Sequence, residues 1–389
     1  MKIRGRALVL AVSMPIIAFA VIGGFMSKAI ARDDSYQYLR IFEDVVSLIL
    51  NNYVEAVDVD KVMHGAMHGL ADGLDPDSAY LDVNQVKVLD KGDLGGSAQT
   101  GLEITRQYYL RVIAARDGSP AAKAGLMPGD YIRAIDGQST RDVTVYEGAR
   151  LLRGRPGTKV HLTVIRGNAA EPHEMDIVRE DLPTMAVKSR IAAPGIGYLR
   201  VAEFGKTTPD QIKSEIASVT KAGAKSVIID LRGTAFGEVE AGLAAARLFV
   251  KSGGVLVYRQ DRGKDKEAVS AAAADGAITV NTVLLTDNGT SNGAEVFAAA
   301  LSGNKRATLI GERTLGRAAR QKLVRLPDGS GLMLTHLIYM TPASVAIHEK
   351  GLVPDVAVEQ PDVDFGQPPA AKDATLDKAI ESLTLKAAA

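Results

Sequence analysis

Few residue types in this chain could do chemistry. There is no cysteine, which removes thiolate nucleophiles, disulfides and cysteine-held metal. The six histidines are scattered. Only His64 and His68 share a helix face, at i and i+4. No His-Glu-x-x-His motif accompanies them, so they read as surface histidines, and no metal or other cofactor is expected. A serine becomes a useful nucleophile only when a base within hydrogen-bond reach takes its proton. Nothing in the sequence places His336 or His348 beside a serine in that way. Lys plus Arg number 46 and Asp plus Glu number 46, a net charge of zero that carries none of the basic excess of a nucleic-acid partner.

The elements that must position the remaining groups follow from pattern. Lys2, Arg4 and Arg6 precede an apolar run from Ala7 to Met26, and Ala29-Ile30-Ala31 offers a small-x-small cleavage site. The run is longer than the roughly 7–15 residues of a signal h-region and approaches the roughly 20 that span a bilayer. Residues 1–31 are therefore expected to be a signal peptide or membrane anchor, with residues 7–26 the only membrane contact if uncleaved. Either way the body is expected outside the cytoplasm, in the periplasm or cell envelope. Residues 36–92 read as helical, from Leu39, Phe42, Val45, Val46 and Ile49 and then Val62, Met63, Ala66, Met67 and Leu70. Asp58 can cap the second helix, and Leu74-Asp75-Pro76 ends the helical region.

Residues 96–182 turn to short β-patterned runs at Leu102–Ile104, Tyr109–Ala114, Tyr131–Ile135 and Lys159–Ile165. From residue 190 to 358 strands alternate with helices. Strands are expected at Ile196–Val201, Ser226–Asp230, Gly254–Tyr258, Thr282–Leu285 and Ala307–Ile310, a layered α/β pattern. Ser270–Ala274 reads as a small-residue loop or helical turn. Residues 359–389 read as a linker and a short amphipathic helix near Ala374–Lys386. The whole is an α+β multidomain chain.

The stretch from Ser119 to Asp130, with Ile132, Ile135, Asp136 and Gly137, resembles a PDZ domain, and Leu151 to Arg166 extends the resemblance. Such a module captures an extended peptide by pairing it with a strand edge while backbone N–H groups hold its terminal carboxylate. The matching loop is Gly101-Leu102-Glu103-Ile104, so protein C-termini or extended peptides are the implied partners. Glu103 does not block this, because backbone does the binding. The plain alternative is a module that only packs and regulates.

The larger order of motifs resembles the carboxyl-terminal processing peptidases, the tail-specific serine peptidases. Tyr53-Val54-Glu55, Leu74-Asp75-Pro76 with Ser78, Asp230-Leu231-Arg232-Gly233, Gly311-Glu312 with Gly316, and Thr341-Pro342 through Pro354-Asp355 carry it. The resemblance implies a serine nucleophile, a lysine base and a glutamine one helical turn beyond the lysine. Aligned on Glu295-Val296, the nucleophile position is Asn292 and the lysine position is Arg317, while Gln321 is retained. A carboxamide cannot form an acyl-enzyme, and a guanidinium does not give up its proton. Where the family has a glycine-rich oxyanion segment, Gly233 is followed by Thr234-Ala235-Phe236-Gly237. Phe236 is expected to obstruct the backbone conformation needed there.

The chain is therefore expected to be a catalytically inactive homologue that binds peptides as scaffold or regulator. A second copy of the chain or an active paralogue are further expected partners. The alternative is an active endopeptidase cleaving C-terminal tails, with Ser291 as nucleophile and a rearranged site. Arg317 beside Asn292 would suit holding a peptide carboxylate or carbonyl uncut. The plain alternative pairs Arg317 with Glu312 or Glu295 in a filled cleft.

Overall fold

The structure, a computed structural model, describes residues 36–167, 171–361, 363–365, 367 and 372–388. The expected leader lies outside these residues, as does part of the linker after residue 358. Among the described residues no helix is long and apolar enough to cross a membrane. The chain divides into two units, residues 1–67 and 68–389. The first contains the helix 36–52, and the helix Val59–Asp72 begins in it. Asp58 caps this second helix as expected, its Oδ1 accepting the Lys61 N–H at 3.1 Å.

In the second unit, a six-stranded antiparallel sheet runs in the order Leu102–Gln107, Tyr109–Ala115, Tyr131–Ile135, Lys159–Ile165, His173–Val178, with the short strand Gln138–Ser139 beside Tyr131–Ile135. Alternate residues enter its core: Leu110 and Val112 from one strand, Val160, Leu162 and Val164 from another. The helix Val145–Leu151 lies beside Leu102–Gln107, which pairs with a strand on one side only and so leaves an open edge.

The remaining core is layered. Five parallel strands lie in the order Val356–Ala357, Ala307–Gly311, Asn281–Thr286, Ser226–Asp230, Ile196–Arg200, and the antiparallel strand Lys188–Ala193 closes one edge. Both faces are covered, which is why these strands read as continuous apolar runs. Val227 and Ile229 pack under the helices Thr208–Lys221, Val239–Arg247 and Gly293–Gly303, while Ile228 meets Ala379 and Leu383 of the C-terminal helix Ala374–Ala388.

A second sheet departs from the expected alternation. Val255–Asp261, expected within the layered core, pairs instead with Glu267–Ser270 and with Gly331–Met340. Gly331–Met340 in turn pairs with Ala319–Arg325 and with Ala79–Leu81. The reason is local ambiguity: an apolar run specifies a strand but not its sheet. Ala79–Leu81 stitches the segment after the helical region into this sheet. Residues 319–325 form a strand, so Gln321 does not stand one helical turn beyond residue 317.

Candidate functional site

The strand Asn281–Thr286 ends at a tight loop that enters the helix Gly293–Gly303, and Asn292 sits at the bend with φ 52° and ψ −121°. A side chain at positive φ is strained unless its surroundings hold it there. They do so here by close packing. A Cβ on Gly293 would lie 2.6 Å from the Glu238 carbonyl, and one on Gly242 would lie 2.1 Å from the Gly293 carbonyl. The bend turns residue 292 outward and residue 291 inward. Asn292 is half-buried and its Nδ2 donates to the Ala235 carbonyl at 3.0 Å. Ser291 is buried, and its Oγ has no hydrogen-bond partner. No base therefore reaches the fallback nucleophile.

The oxyanion-region residues lie alongside. Gly233, at φ 61°, donates its N–H to Asp287 Oδ1 at 2.9 Å. Asp287 also accepts from the Gly289 N–H and the Thr290 hydroxyl, each at 3.0 Å, while burial raises its carboxyl above the usual range. This aspartate organises the loop, yet it carries no local signal that sequence reading could have used. Phe236 lies in a short strand paired with Glu203, and it is Gly237 that takes positive φ, 106°. A Cβ at Gly237 would come within 2.1 Å of the Phe204 carbonyl, so glycine stands where it is needed. The Phe236 ring packs with Ile113, Ala114 and Ala235 under the Arg116 guanidinium.

The loop between the strands Ala307–Gly311 and Ala319–Arg325 is pinned by Glu295, in the first turn of the helix that Asn292 opens. Glu295 accepts the Thr314 hydroxyl, the Gly316 N–H at 2.6 Å and the Arg317 N–H at 2.7 Å. Burial pushes its carboxyl up to about 7, against the downward pull of these donors.

The Arg317 side chain does not pair with Glu295 or Glu312, as the filled-cleft alternative had it. Its Nε donates to Asp77 Oδ2 at 3.0 Å, and its Nη2 lies 2.9 Å from Asp77 Oδ1. Nη1 donates to Glu103 Oε1 at 2.8 Å and to the Ile104 carbonyl at 3.3 Å. Burial opposes the charge on Arg317, but the two carboxylates outweigh it and hold the guanidinium firmly protonated. No hydrogen bond joins Arg317 to Asn292. Gln321 is likewise separate, its Nε2 donating to Thr335 Oγ1 at 3.1 Å.

Gly101-Leu102-Glu103-Ile104 thus meets Arg317 directly. Residue 101 must be glycine, because its φ is 84° and a Cβ there would sit 2.2 Å from that of Ser119. Leu102 and Ile104 face the PDZ-like core, and Glu103 faces away from it. Opposite Ile104, Val112 spends its N–H on Asp130 and its C=O on Gly129. The Ile104 peptide groups are therefore directed to the open strand edge. Among the described residues no group of three or more His, Asp or Glu side chains is placed to hold a metal ion. A cavity of about 580 Å³ lined by Asp72, Asp75, Arg106, Tyr108, Arg141 and Glu349 opens elsewhere, and neither dyad position borders it.

An open-edged antiparallel module beside a layered α/β core, with a strained bend at a helix start, defines a serine-peptidase fold carrying a PDZ module. The comparisons agree. Residues 195–358 match peptidase family S41 and residues 111–166 match the PDZ domain. A carboxy-terminal-processing protease of Bartonella bacilliformis is 30% identical over 363 residues, covering 89% of this chain and 83% of that protein. The carboxy-terminal processing protease CtpA of Bacillus subtilis is 33% identical over 316 residues, covering 81% and 67%. Among solved structures, a photosystem II D1 C-terminal processing protease superposes with a TM-score of 0.67 at 27% identity, covering 82% of this chain and 92% of that one. The chain belongs to peptidase family S41, among the carboxy-terminal processing proteases.

Proposed function

We propose that this protein does not hydrolyse peptide bonds and instead captures protein C-termini or extended peptides at the open edge of Leu102–Gln107, as a scaffold or regulator outside the cytoplasm. One observation carries the reading. The outward-facing residue of the bend is Asn292, and the residue at the lysine position is Arg317, held protonated by two carboxylates. Neither group can do what a serine and a neutral lysine would do. The open edge and its glycine-led loop support peptide capture by strand addition.

Incubation of the purified protein with an unstructured, end-labelled tail substrate and with a serine-directed phosphonate tests this. The expected result is an intact substrate and an unlabelled protein. Cleavage abolished by Ser291→Ala, with phosphonate attached at residue 291, would make the protein an endopeptidase with a rearranged site.

A further inference from the structure

We infer that Arg317 is the counter-ion for the terminal carboxylate of the captured chain, and that Glu103 occupies its place in the unliganded protein. This rests on the capture reading and assigns the ligand group and the residue that selects it.

The guanidinium divides its contacts by how easily they can be exchanged. Nε and Nη2 face Asp77, whose side chain is 5% exposed and cannot turn to water. Nη1 faces the Glu103 carboxylate and the Ile104 carbonyl. Glu103 is the partner that can leave, its side chain being 31% exposed. The Ile104 carbonyl is the acceptor that an added peptide strand would use, so Arg317 already lies on the edge where such a strand would pair. A carboxylate arriving at the Gly101–Ile104 loop meets a guanidinium whose charge Asp77 alone balances once Glu103 turns outward. Arginine suits this exchange because its planar donors accept one carboxylate in place of another at similar geometry. A peptide lacking that carboxylate gives Arg317 no reason to release Glu103.

The test is fluorescence anisotropy with a labelled unstructured peptide in three forms: free acid, C-terminal amide, and amide with an internal Asp near its end. The wild-type protein is compared with Glu103→Gln and Arg317→Gln, each checked for folding by thermal melting. The free acid is expected to bind the wild type more tightly than either amide. Glu103→Gln is expected to tighten the free acid by about tenfold, since a hydrogen-bonded charge contact is worth roughly that or more. The plain amide is expected to stay within about twofold. Arg317→Gln is expected to bring the free acid down to the amide.

Because Arg317→Gln leaves Asp77 without its counter-ion and can fail to fold, the variant Glu103→Gln, at a half-buried side chain, decides the matter alone. An unchanged free-acid affinity in that variant overturns the inference while leaving capture intact. An equal gain for the Asp-bearing amide overturns the assignment to a chain terminus. Absence of free-acid binding in both the wild type and Glu103→Gln overturns the capture reading itself, and the inference with it.

Discussion

Placing a serine at 292 and a lysine at 317 is expected not to give a peptidase active at neutral pH, and the reason lies in the surroundings of residue 317. A lysine base works when neutral, and burial is what normally drives its pKa toward 7. In Asn292→Ser/Arg317→Lys the new ammonium would stand between Asp77 and Glu103, which contact the present guanidinium at 2.8–3.0 Å. Each close carboxylate raises a lysine pKa by about one to three units, which cancels the depression burial supplies. At a pKa near the unperturbed value of about 10.4, only about one lysine in 10³ is neutral at pH 7.5. The acids also draw the side chain toward the PDZ module and away from residue 292.

Adding Asp77→Asn and Glu103→Gln removes both effects. If burial then brings the lysine near 7.5, about half is neutral, and the quadruple variant should cleave roughly 10²- to 10³-fold faster than the double variant. The assay is turnover of an end-labelled unstructured tail across pH 6–10, with phosphonate labelling to count competent serines. The double variant should become active only toward high pH, and the quadruple variant near neutrality. Equal rates and equal pH profiles for the two would refute the argument that the acids hold residue 317 charged. Failure of a folded quadruple variant to take up phosphonate would refute the placement of residue 292 as the outward residue of the bend.

Three further outcomes follow from the same region. The Glu295 carboxyl is raised to about 7 in the folded chain, from an ordinary value near 4.5. The folded state therefore holds the proton more tightly, and stability is full below about 4.5 and lost as pH rises through about 7. Urea unfolding should show a loss on the order of 3 kcal/mol between pH 4.5 and 8, and Glu295→Gln should flatten that slope; a slope unchanged by the substitution would contradict it. Ser291→Ala removes a buried hydroxyl that has no partner, so stability should stay level or rise by up to about 1 kcal/mol, whereas a loss of several kcal/mol in denaturant melts would reveal a contact at Ser291 Oγ. Asn292→Gly and Asn292→Ala both lose the bond to Ala235, but only glycine relieves the positive φ. The glycine variant should be the more stable by roughly 1–3 kcal/mol, and equal midpoints would show that the bend stores no strain.

Sequence and structure meet most closely where one residue pattern has one outcome. Ser226–Asp230, apolar on both faces and flanked by turns, reads as a buried parallel strand and is one. Ala319–Arg325 does not read as a strand, because its charged residues alternate with little apolar content; its conformation comes from pairing along Gly331–Met340. Asn292 and Arg317 were singled out in the sequence because the family resemblance supplies a register for them. Their partners were not, since Asp77 and Glu103 lie far from Arg317 in the chain and only tertiary packing joins them. The available signal was electrostatic: an arginine placed where a buried base belongs must find acids, and Asp77 and Glu103 stand within the very motifs that surround the site.

That pairing bears on what holds this part of the fold together. A permanently charged guanidinium in a closed site costs several kcal/mol if left alone, and a single buried carboxylate must both neutralise it and fix its direction. Asp77 does this from the turn before Ala79–Leu81, so Arg317 ties the second sheet to that turn as well as to the layered core. Glu103 adds the PDZ module through the same guanidinium. Asn292 meanwhile spends its amide on the Ala235 carbonyl, closing the gap between the bend and the oxyanion-region loop. Arg317 and Asn292 thus each cross-link separate segments. A site built to cut would need the residue at 317 to lose a proton and the residue at 292 to be free. Here one holds its charge in place and the other is hydrogen-bonded.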